Sequence, residues 1–493
     1  MRLYIGIDLG TSSVKLMLVG SDGSIQNTVT REYPVYYPRS GWSEQNAADW
    51  WQAIDDALPE LLCGFDGEAV AGIGVAGQMH GLVVLDKNDA VIRPTILWND
   101  GRTDRETAYL NEEIGKEALF AYTGNIAFAG FTAPKIMWLR ENEPERFARI
   151  CKIMLPKDYI NYLLTGVYCT DYSDAAGTLL LDVKNKRWSK EMLDICGITE
   201  KQMPKLYESF EAVGTVKSAI AERFGLNPNA VVVAGAGDNA AAAIGTGTVG
   251  NGKCNISLGT SGTVFVSSDR FSGDATQAIH AFCHADGGFH LMGCILSAAS
   301  CNKWLCDEIL QTTDYGAMEA SVAEERLGKN EVFFLPYLMG ERSPINDTNA
   351  TGMFIGLRPN TTRAALYQAV LEGVAFAVKD NLEIIKRFGI DVRSSCLCGG
   401  GAKSRIWRKI LANVLNLEFN IPVTEQGPGY GSAILAMVGA GEFENVKQAT
   451  DRFFAIKETV SPERMLVERY AERYEKYRRI YPAVKELYKE IKE

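Results

Sequence analysis

Short apolar segments that run into glycine alternate along this chain with longer segments in which apolar residues recur every three or four positions. The short segments are typical of buried strands, and the longer ones of amphipathic helices. We predict strands at residues 71–75, 231–233 and 395–398, and helices at residues 49–62, 362–388 and 404–415. Alternation of this kind favours an α/β protein whose sheets are covered by helices.

The C-terminal segment, from Pro462 onward, is charged and carries one apolar stripe at helical spacing. The stripe consists of Leu466, Tyr470, Tyr474, Tyr477 and Tyr481. Such a stripe is more typical of a packing face than of a binding site. We therefore predict a tail helix that packs against the rest of the protein.

One hexapeptide pattern occurs twice. Residues 8–13 read DLGTSS and residues 257–262 read SLGTSG, each between strand-like segments, which predicts a strand, a tight turn and a second strand. Two unrelated hairpins can share such a turn by chance, but an identical Leu-Gly-Thr-Ser string near the start of each half favours duplication. We predict two related domains, residues 1–246 and 253–493, joined by the glycine-rich segment 245–252.

Length and composition disfavour several classes of protein. With 493 residues the chain is too long for one hydrophobic core. The formal net charge of −10 disfavours binding to nucleic acid or to an anionic membrane surface. We find neither an apolar run of the ~18 residues that a membrane span needs nor a secretory signal. The 11 cysteines lack the paired spacing of a metal site, so we expect reduced thiols in a cytoplasmic protein.

The two predicted turns are candidate phosphate sites. A turn of small residues exposes successive backbone N–H groups, and Thr and Ser hydroxyls add donors beside them. At the first position of the pattern, the first copy has Asp8 and the second copy has Ser257. Mg²⁺ on nucleotide phosphates takes one or two carboxylates from the protein, so Asp8 is a candidate ligand. A single turn of this kind is more often structural, whereas the pair favours a polyphosphate held across a cleft.

Two other phosphate motifs do not fit. The P-loop pattern G-x-x-x-x-G-K-[ST] is absent. Residues 245–250 match G-x-G-x-x-G, but a dinucleotide fingerprint follows a strand and opens a helix. Here an alanine-rich helical segment precedes the glycines and a polar turn follows them, so we do not expect a dinucleotide site.

Asp238 is the candidate general base. Residues 231–240 predict a buried strand, a glycine-rich turn and an alanine-rich helix, with Asp238 or Asn239 at the N-cap position. Capping alone explains such a residue. A carboxylate at a helix N-terminus is also favoured in its ionised form, and phosphate transfer to a hydroxyl needs a base for the proton. The local sequence leaves both interpretations open.

Three further turns follow predicted strands. Residues 77–81 (GQMHG) place His80 between glycines, where a neutral imidazole can bind a sugar hydroxyl or serve the fold alone. Residues 98–102 (WNDGR) contain an Asp–Arg pair that can simply close a loop. Residues 399–404 (GGGAKS) let a flat ring or a phosphate approach the backbone, and Ser404 can cap the helix that follows.

Together these motifs resemble the FGGY family of carbohydrate kinases. The resemblance rests on DLGTSS, SLGTSG, GAGDN and GGGAKS and extends over residues 3–441. Residues 130–139 (GFTAPKIMWL) match the first signature of the family, and residues 352–357 (GMFIGL) resemble the start of the second. Ala365 replaces the polar residue expected before Leu366, in a predicted helix and not in the candidate site.

The resemblance implies two RNase H-like domains of the actin-like ATPase superfamily around a central cleft, with ATP and Mg²⁺ as cofactors. The strings GQMHG, LWNDGR, LPKDY, SDAAGT and SAASC resemble the members that phosphorylate D-xylulose on its 5-hydroxyl. The implied catalytic base is Asp238, and the implied metal ligand is Asp8. The implied sugar contacts are Met79, His80, Asp238 and Asn239. The implied nucleotide contacts are Thr11, Ser12, Gly259, Thr260, Gly400, Gly401 and Ser404. The family also suggests a homodimer.

Three alternatives remain open at this stage. Another sugar kinase of the same architecture would act on ribulose, fuculose, gluconate or glycerol. An actin-like or chaperone-like ATPase would use the nucleotide cycle to bind protein, although no long interaction extension is present. A sugar-sensing regulator would keep the fold without catalysis, but both Asp8 and Asp238 are present and no basic helix-turn-helix is evident.

Overall fold

The computed structural model describes residues 1–276, 278–423 and 427–492. Two seven-stranded sheets dominate it. The first has the strand order Ala212–Thr215, Val231–Val233, Val70–Gly77, Leu3–Leu9, Ser13–Gly20 and Ile25–Glu32, with Ala236–Gly237 also paired to Val70–Gly77. The second has the order His280–Cys283, Phe289–Ile295, Gly262–Ser268, Cys254–Leu258, Ser394–Cys398, Glu418–Pro422 and Ile456–Val460.

Both sheets contain the predicted hairpin at their centre. Leu3–Leu9 pairs antiparallel with Ser13–Gly20 and parallel with Val70–Gly77. In the second sheet Cys254–Leu258 pairs antiparallel with Gly262–Ser268 and parallel with Ser394–Cys398. The duplicated strand–turn–strand prediction is therefore confirmed, and the two turns occupy equivalent places in the two sheets.

Helices and short strand pairs surround the sheets. The helices are Ala47–Leu61, Asp104–Tyr109, Lys116–Thr123, Thr132–Asn142, Pro144–Phe147, Pro156–Thr165, Tyr172–Ala175, Lys190–Cys196, Ser218–Phe224, Asp238–Gly245, Ala299–Trp304, Tyr315–Ala320, Arg363–Arg387, Arg405–Leu415, Gly427–Gly439, Val446–Phe453, Arg464–Tyr477 and Ile480–Lys492. The short strand pairs are Glu44–Gln45 with Thr95–Ile96, Val83–Leu85 with Lys152–Met154, Cys169–Asp171 with Lys205–Tyr207, Leu181–Asp182 with Arg187–Trp188, and Phe333–Leu335 with Met353–Ile355. The α/β prediction is confirmed, and Ser404 caps the helix that follows it.

One helix from the second half of the chain packs on the first sheet. Gly427–Gly439 lies so close to the central strands that a side-chain carbon at Gly6 would be 1.9 Å from the carbonyl oxygen of Gly429. A side-chain carbon at Gly74 would be 2.1 Å from the carbonyl oxygen of Ser432. Glycine is required at both strand positions because the backbone of the helix fills the space that a side chain would take.

The tail forms two helices, Arg464–Tyr477 and Ile480–Lys492. Four of the five stripe residues are buried on the first of these helices, and the Tyr470 hydroxyl donates to Glu372 Oε1 (3.0 Å) on the long helix Arg363–Arg387. Tyr481 lies on the second helix and donates to Asp347 (2.7 Å). The predicted packing role of the tail is confirmed.

The described part of the chain has no helix with the length and apolar character that a bilayer crossing requires.

Candidate active site

Three parallel strands end at one edge of the first sheet and bring the predicted site residues together. Asp8 and Ala236 both lie opposite Ala76, and Gly237 lies opposite Gly77. Asp8 is the second-last residue of the strand Leu3–Leu9. Gln78 to Gly81 directly follow the strand Val70–Gly77, and Asp238 directly follows the strand Ala236–Gly237. The carboxyl ends of parallel strands form the usual binding edge of an open α/β sheet.

Asp238 is the first residue of the helix Asp238–Gly245, and Gly237 is its N-cap. The prediction that Asp238 or Asn239 caps this helix is therefore wrong: the helix begins one residue earlier than capping by Asp238 requires and two earlier than capping by Asn239 requires. The carboxylate instead turns back, and its Oδ1 accepts from the backbone N (2.7 Å) and Nδ2 (3.0 Å) of Asn239.

The two carboxyl groups at this edge have raised pKa values. Burial, and next the charge of Asp8, raises the pKa of Asp238 to about 7, although the two bonds from Asn239 act in the opposite direction. Burial raises the pKa of Asp8 to about 6, and Lys15 opposes the shift. A carboxyl group with a pKa near neutrality is suited to accept a proton during the reaction.

The donor set at this edge fits Mg²⁺ bound to nucleotide phosphates. The part of the chain that the structure describes has no cluster of three or more His, Cys, Asp or Glu residues that could enclose a metal. Magnesium in phosphoryl-transfer sites usually takes only one or two carboxylates, with water and phosphate oxygens as its other ligands. Asp8 is half-buried at the strand end, and its charge destabilises the nearby Asp238 carboxylate, so a divalent cation would relieve the repulsion.

His80 is held in one tautomer and one orientation. Its backbone has a positive φ of 69°, and its Nδ1 lies 2.7 Å from the carbonyl oxygen of Gly177, so Nδ1 carries the hydrogen and Nε2 is left as an acceptor. The carbonyl oxygen of His80 accepts from Lys135 Nζ (2.8 Å) and Thr132 Oγ1 (3.1 Å). Burial lowers the pKa of His80 to about 3, which keeps the imidazole neutral.

Two residues of the first family signature, Thr132 and Lys135, therefore hold the backbone of His80, the candidate sugar-binding residue. Lys135 is fully buried, and burial lowers its pKa to about 7. The sequence alone identified the segment 130–139 as a motif but gave it no role. Its partner is a backbone carbonyl more than fifty residues away, which no local pattern reveals.

Met79 forms the apolar side of the same edge. It is buried, and a side-chain carbon added at Gly237 would lie 3.0 Å from its sulfur. A side-chain carbon added at Gly177 would lie 2.5 Å from the His80 ring. Met79 and His80 are thus packed against backbone, and Met79 lies against the residue directly before Asp238.

The first hairpin turn is fixed by side chains from three other segments. The Tyr33 hydroxyl donates to the carbonyl oxygen of Ser13 (3.0 Å), and Gln45 Nε2 donates to that of Thr11 (2.6 Å). Trp98 Nε1 donates to Thr11 Oγ1 (2.9 Å), which gives a role to the WNDGR turn that the sequence did not suggest. Ser12, at the tip, is exposed.

A cavity of about 380 Å³ lies between the second hairpin, the helix Asp238–Gly245 and the start of the helix Gly427–Gly439. Its lining residues are Asn239, Ala242, Ala243, Thr246, Asn255, Ser257, Gly259, Ser261, Thr263, Phe265, Cys398, Gly427 and Pro428. A larger cavity of about 660 Å³ lies between the long helix Arg363–Arg387 and the tail. Only the smaller of these two cavities is lined by residues of the duplicated turn and by Asn239, the residue after Asp238.

Some of these lining residues were not predicted. Asn255 Nδ2 donates to Thr246 Oγ1 (3.0 Å) and to Cys398 Sγ (3.3 Å), so this wall of the cavity is polar. The signal was present in the sequence: Asn255 and Ser257 alternate with apolar residues, which places both on one face of the strand.

Four other predicted nucleotide residues, Thr260, Gly400, Gly401 and Ser404, are not among the residues that line this cavity. Thr260 is exposed, and its carbonyl oxygen accepts from Ser300 Oγ (2.8 Å). Gly400 is exposed, whereas Gly401 is buried against Leu258. Ser404 Oγ accepts from the backbone N of Trp407 (3.2 Å). The register between Ser257 and Cys398 places the glycine run at the same sheet edge as the second turn.

A buried charged cluster lies behind Asp238. Lys157 Nζ lies 2.7 Å from Asp158 Oδ1 and 2.9 Å from Asp171 Oδ1, and these three side chains are fully buried. Burial disfavours the charge of Lys157, but its carboxylate neighbours raise its pKa above the usual value. Ser173 connects the cluster to the site: its Oγ donates to Asp171 and accepts from the backbone N of Gly237 (3.1 Å). The cluster therefore holds the residue directly before Asp238.

We expect Lys157→Met to lower the free energy of unfolding by about 3–5 kcal/mol, because it leaves buried carboxylates without their cation. Urea unfolding followed by fluorescence measures this. Lys190→Met is the control, since Lys190 pairs with Asp194 on the exposed surface, and we expect no measurable change there. Equal midpoints for Lys157→Met and the native protein would show that the cluster contributes nothing to stability.

With this geometry described, comparison with known proteins gives the family. The N-terminal domain profile of the FGGY family of carbohydrate kinases matches residues 3–245, and the C-terminal domain profile matches residues 254–440. The xylulose kinase of Escherichia coli (strain K12) is 39% identical over 481 residues, which cover 97% of this chain and 98% of that protein.

Solved structures agree with this match. The xyloylose kinase of Brucella ovis superposes with a TM-score of 0.94 at 42% identity, covering 99% of this chain and all of the other. The gluconate kinase of Lactobacillus acidophilus superposes with a TM-score of 0.93 at 25% identity, covering 99% of each chain.

The chain belongs to the FGGY family of carbohydrate kinases. It is a kinase with two α/β domains of the actin-like ATPase fold, and it uses ATP with a divalent metal ion such as Mg²⁺. The fold class and the cofactors predicted from the sequence are confirmed.

Proposed function

We propose that this kinase transfers the γ-phosphoryl group of ATP to the 5-hydroxyl of D-xylulose, with Asp238 as the general base. The observation that carries the proposal is the meeting of Asp238 with Met79 and His80 at one strand edge, beside Asp8 and the first hairpin turn. Relatives named xylulose kinase, 34–39% identical over nearly the whole chain, support the choice of sugar.

In the proposed reaction the sugar lies against Met79, His80 and Asn239. His80 offers Nε2 as an acceptor to a sugar hydroxyl, since Nδ1 is bonded to Gly177. Asp238 accepts the proton of the 5-hydroxyl as that oxygen bonds to the γ-phosphorus. The bond between the γ-phosphorus and the bridging oxygen breaks, and ADP leaves. Catalysis then rests on positioning and charge neutralisation.

We assign the nucleotide to the cavity of about 380 Å³, which the second hairpin lines, and to the two hairpin turns. The proposed phosphate contacts are Thr11, Ser12, Gly259 and Thr260, and the proposed adenosine contacts are Gly400, Gly401 and Ser404. Asp8 would hold Mg²⁺, which would supply charge neutralisation on the phosphate oxygens. Asn239 lines the cavity and follows the base directly, so it joins the sugar site to the nucleotide site.

Three further statements belong to this proposal. The sugar-binding domain comprises residues 1–246 and the ATP-binding domain residues 253–493, and closure of the cleft between them excludes water from the reaction. The kinase acts in the cytoplasm, in keeping with thiols kept reduced. It forms a homodimer, which light scattering on the purified protein tests directly.

The test of the sugar is ADP release with MgATP across D-xylulose, D-ribulose, L-ribulose, L-fuculose, gluconate and glycerol. We expect the highest kcat/KM with D-xylulose. The likeness to a gluconate kinase makes gluconate the most informative competitor. A higher kcat/KM for gluconate or glycerol than for D-xylulose would be consistent with the proposed mechanism but would contradict D-xylulose as the substrate. ADP release that no sugar stimulates would favour a protein-binding ATPase instead.

A further inference from the structure

Arg342 is held rigidly in a loop of the second half of the chain. Glu341 Oε1 accepts from the backbone N of Arg342 (2.8 Å) and from that of Leu296 (2.9 Å). The backbone N of Ser343 donates to the carbonyl oxygen of Cys294 (3.0 Å), on an inner strand of the second sheet. The starting point of the Arg342 side chain is therefore fixed.

The guanidinium of Arg342 has no polar partner within residues 1–276, 278–423 and 427–492. It forms neither an ion pair nor a side-chain hydrogen bond there, although the residue is half-buried. The buried arginines Arg93, Arg102 and Arg473 all pair with a glutamate. A half-buried guanidinium without a protein acceptor keeps its N–H donors available for the oxygens of a ligand.

This unpartnered guanidinium borders the aromatic cluster that contains His80. It lies 5.7 Å from the ring centroid of Phe128. The Phe128 ring lies 5.3 Å from that of Phe131, which in turn lies 4.8 Å from the His80 ring. Burial lowers the pKa values of His80 and His280, and the positive charge of Arg342 contributes to both shifts, for His80 after the larger effect of Lys135.

The order of contacts gives Arg342 a place relative to Asp238. Met79 lies against Gly237, next to Asp238, and His80 follows Met79. The rings of Phe131 and Phe128 continue this series of contacts from His80 to the guanidinium of Arg342, so Arg342 is separated from the base by more contacts than His80 is. In a five-carbon 2-ketose, the C2 carbonyl and the C1 hydroxyl lie at the end opposite the C5 hydroxyl.

We propose that Arg342 determines specificity for ketoses by donating hydrogen bonds to the C1 and C2 oxygens of the sugar. The inference rests on the proposed function, since it takes Asp238 as the base at the C5 end. Arg342 comes from the second half of the chain, whereas Met79 and His80 come from the first. Recognition of the keto end therefore requires both halves.

The test compares native protein, Arg342→Met and Arg342→Lys on D-xylulose, 1-deoxy-D-xylulose and xylitol. We expect Arg342→Met to raise KM for D-xylulose about 10- to 100-fold, the usual effect of losing hydrogen bonds from a charged donor. KM for ATP should stay unchanged. The loss should be smaller on 1-deoxy-D-xylulose, which lacks O1, or on xylitol, which lacks the carbonyl. Arg342→Lys should recover part of the KM.

Arg358→Met is the matched control, because Arg358 is exposed and pairs with Glu331. It should leave every constant unchanged. An equal loss on all three compounds, or an unchanged KM for D-xylulose, would overturn the role of Arg342. A native enzyme that ignores D-xylulose would contradict the proposed function instead, so the two failures are distinguishable.

Discussion

Asp238→Asn lowers kcat for sugar phosphorylation by about 10²–10⁴-fold, the usual contribution of a general base. Asparagine keeps the size of the side chain but cannot accept the proton of the sugar hydroxyl. The pKa of Asp238, raised to about 7, makes the native carboxylate a competent proton acceptor near neutral pH. Sugar-dependent ADP release at saturating substrates measures the loss.

The control for this experiment is Asp22→Asn in an exposed turn of the first sheet. Asp22 accepts from Ser24 and lies away from the cleft, so kcat should not change. Thermal unfolding of both variants separates loss of the base from loss of the fold. A kcat near the native value in correctly folded Asp238→Asn protein would remove Asp238 from the mechanism.

Asp8→Asn is the second change with a large expected effect. We expect kcat to fall by roughly 100-fold or more and the Mg²⁺ concentration for half-maximal rate to rise, because a metal ion that neutralises phosphate contributes several kcal/mol. The same variant should move the pH profile. The charge of Asp8 raises the pKa of Asp238, so its removal lowers that pKa and shifts the acid limb of the rate to lower pH.

The pH profile is measured at low concentrations of both substrates, where the free enzyme is the reference state. The native rate should fall below about pH 7 as Asp238 becomes protonated. Lys15→Met offers a matched comparison, because Lys15 lowers the pKa of Asp8. An Asp8→Asn profile with the acid limb unmoved and an unchanged Mg²⁺ requirement would contradict the role of Asp8.

The sequence predicts those parts of the site that depend on local order. The duplicated hairpins are visible because strand, turn and strand follow one another in the chain. The strand–turn–helix around Asp238 is visible for the same reason, although glycine capping places the helix start at Asp238 itself. Only the repeated hexapeptide in the sequence indicates that the chain has two related halves.

The remaining features depend on contacts between distant segments. Lys135 holds the carbonyl of His80, and Lys157 pairs with Asp171, but neither partner is marked by spacing or periodicity. The sequence of Gly427–Gly439 has the pattern of an ordinary apolar helix. That this helix packs on the first sheet is visible only in the folded structure. Such contacts arise from tertiary packing, which overrides local preference.

The most direct test of the central claim is the identity of the product formed from D-xylulose and MgATP. Phosphorus and proton NMR should show one phosphate ester coupled to the two protons on C5, formed in step with ADP. Asp238→Asn should form this ester far more slowly. Accumulation of ADP and inorganic phosphate without a sugar phosphate, or an ester on another carbon, would contradict the account.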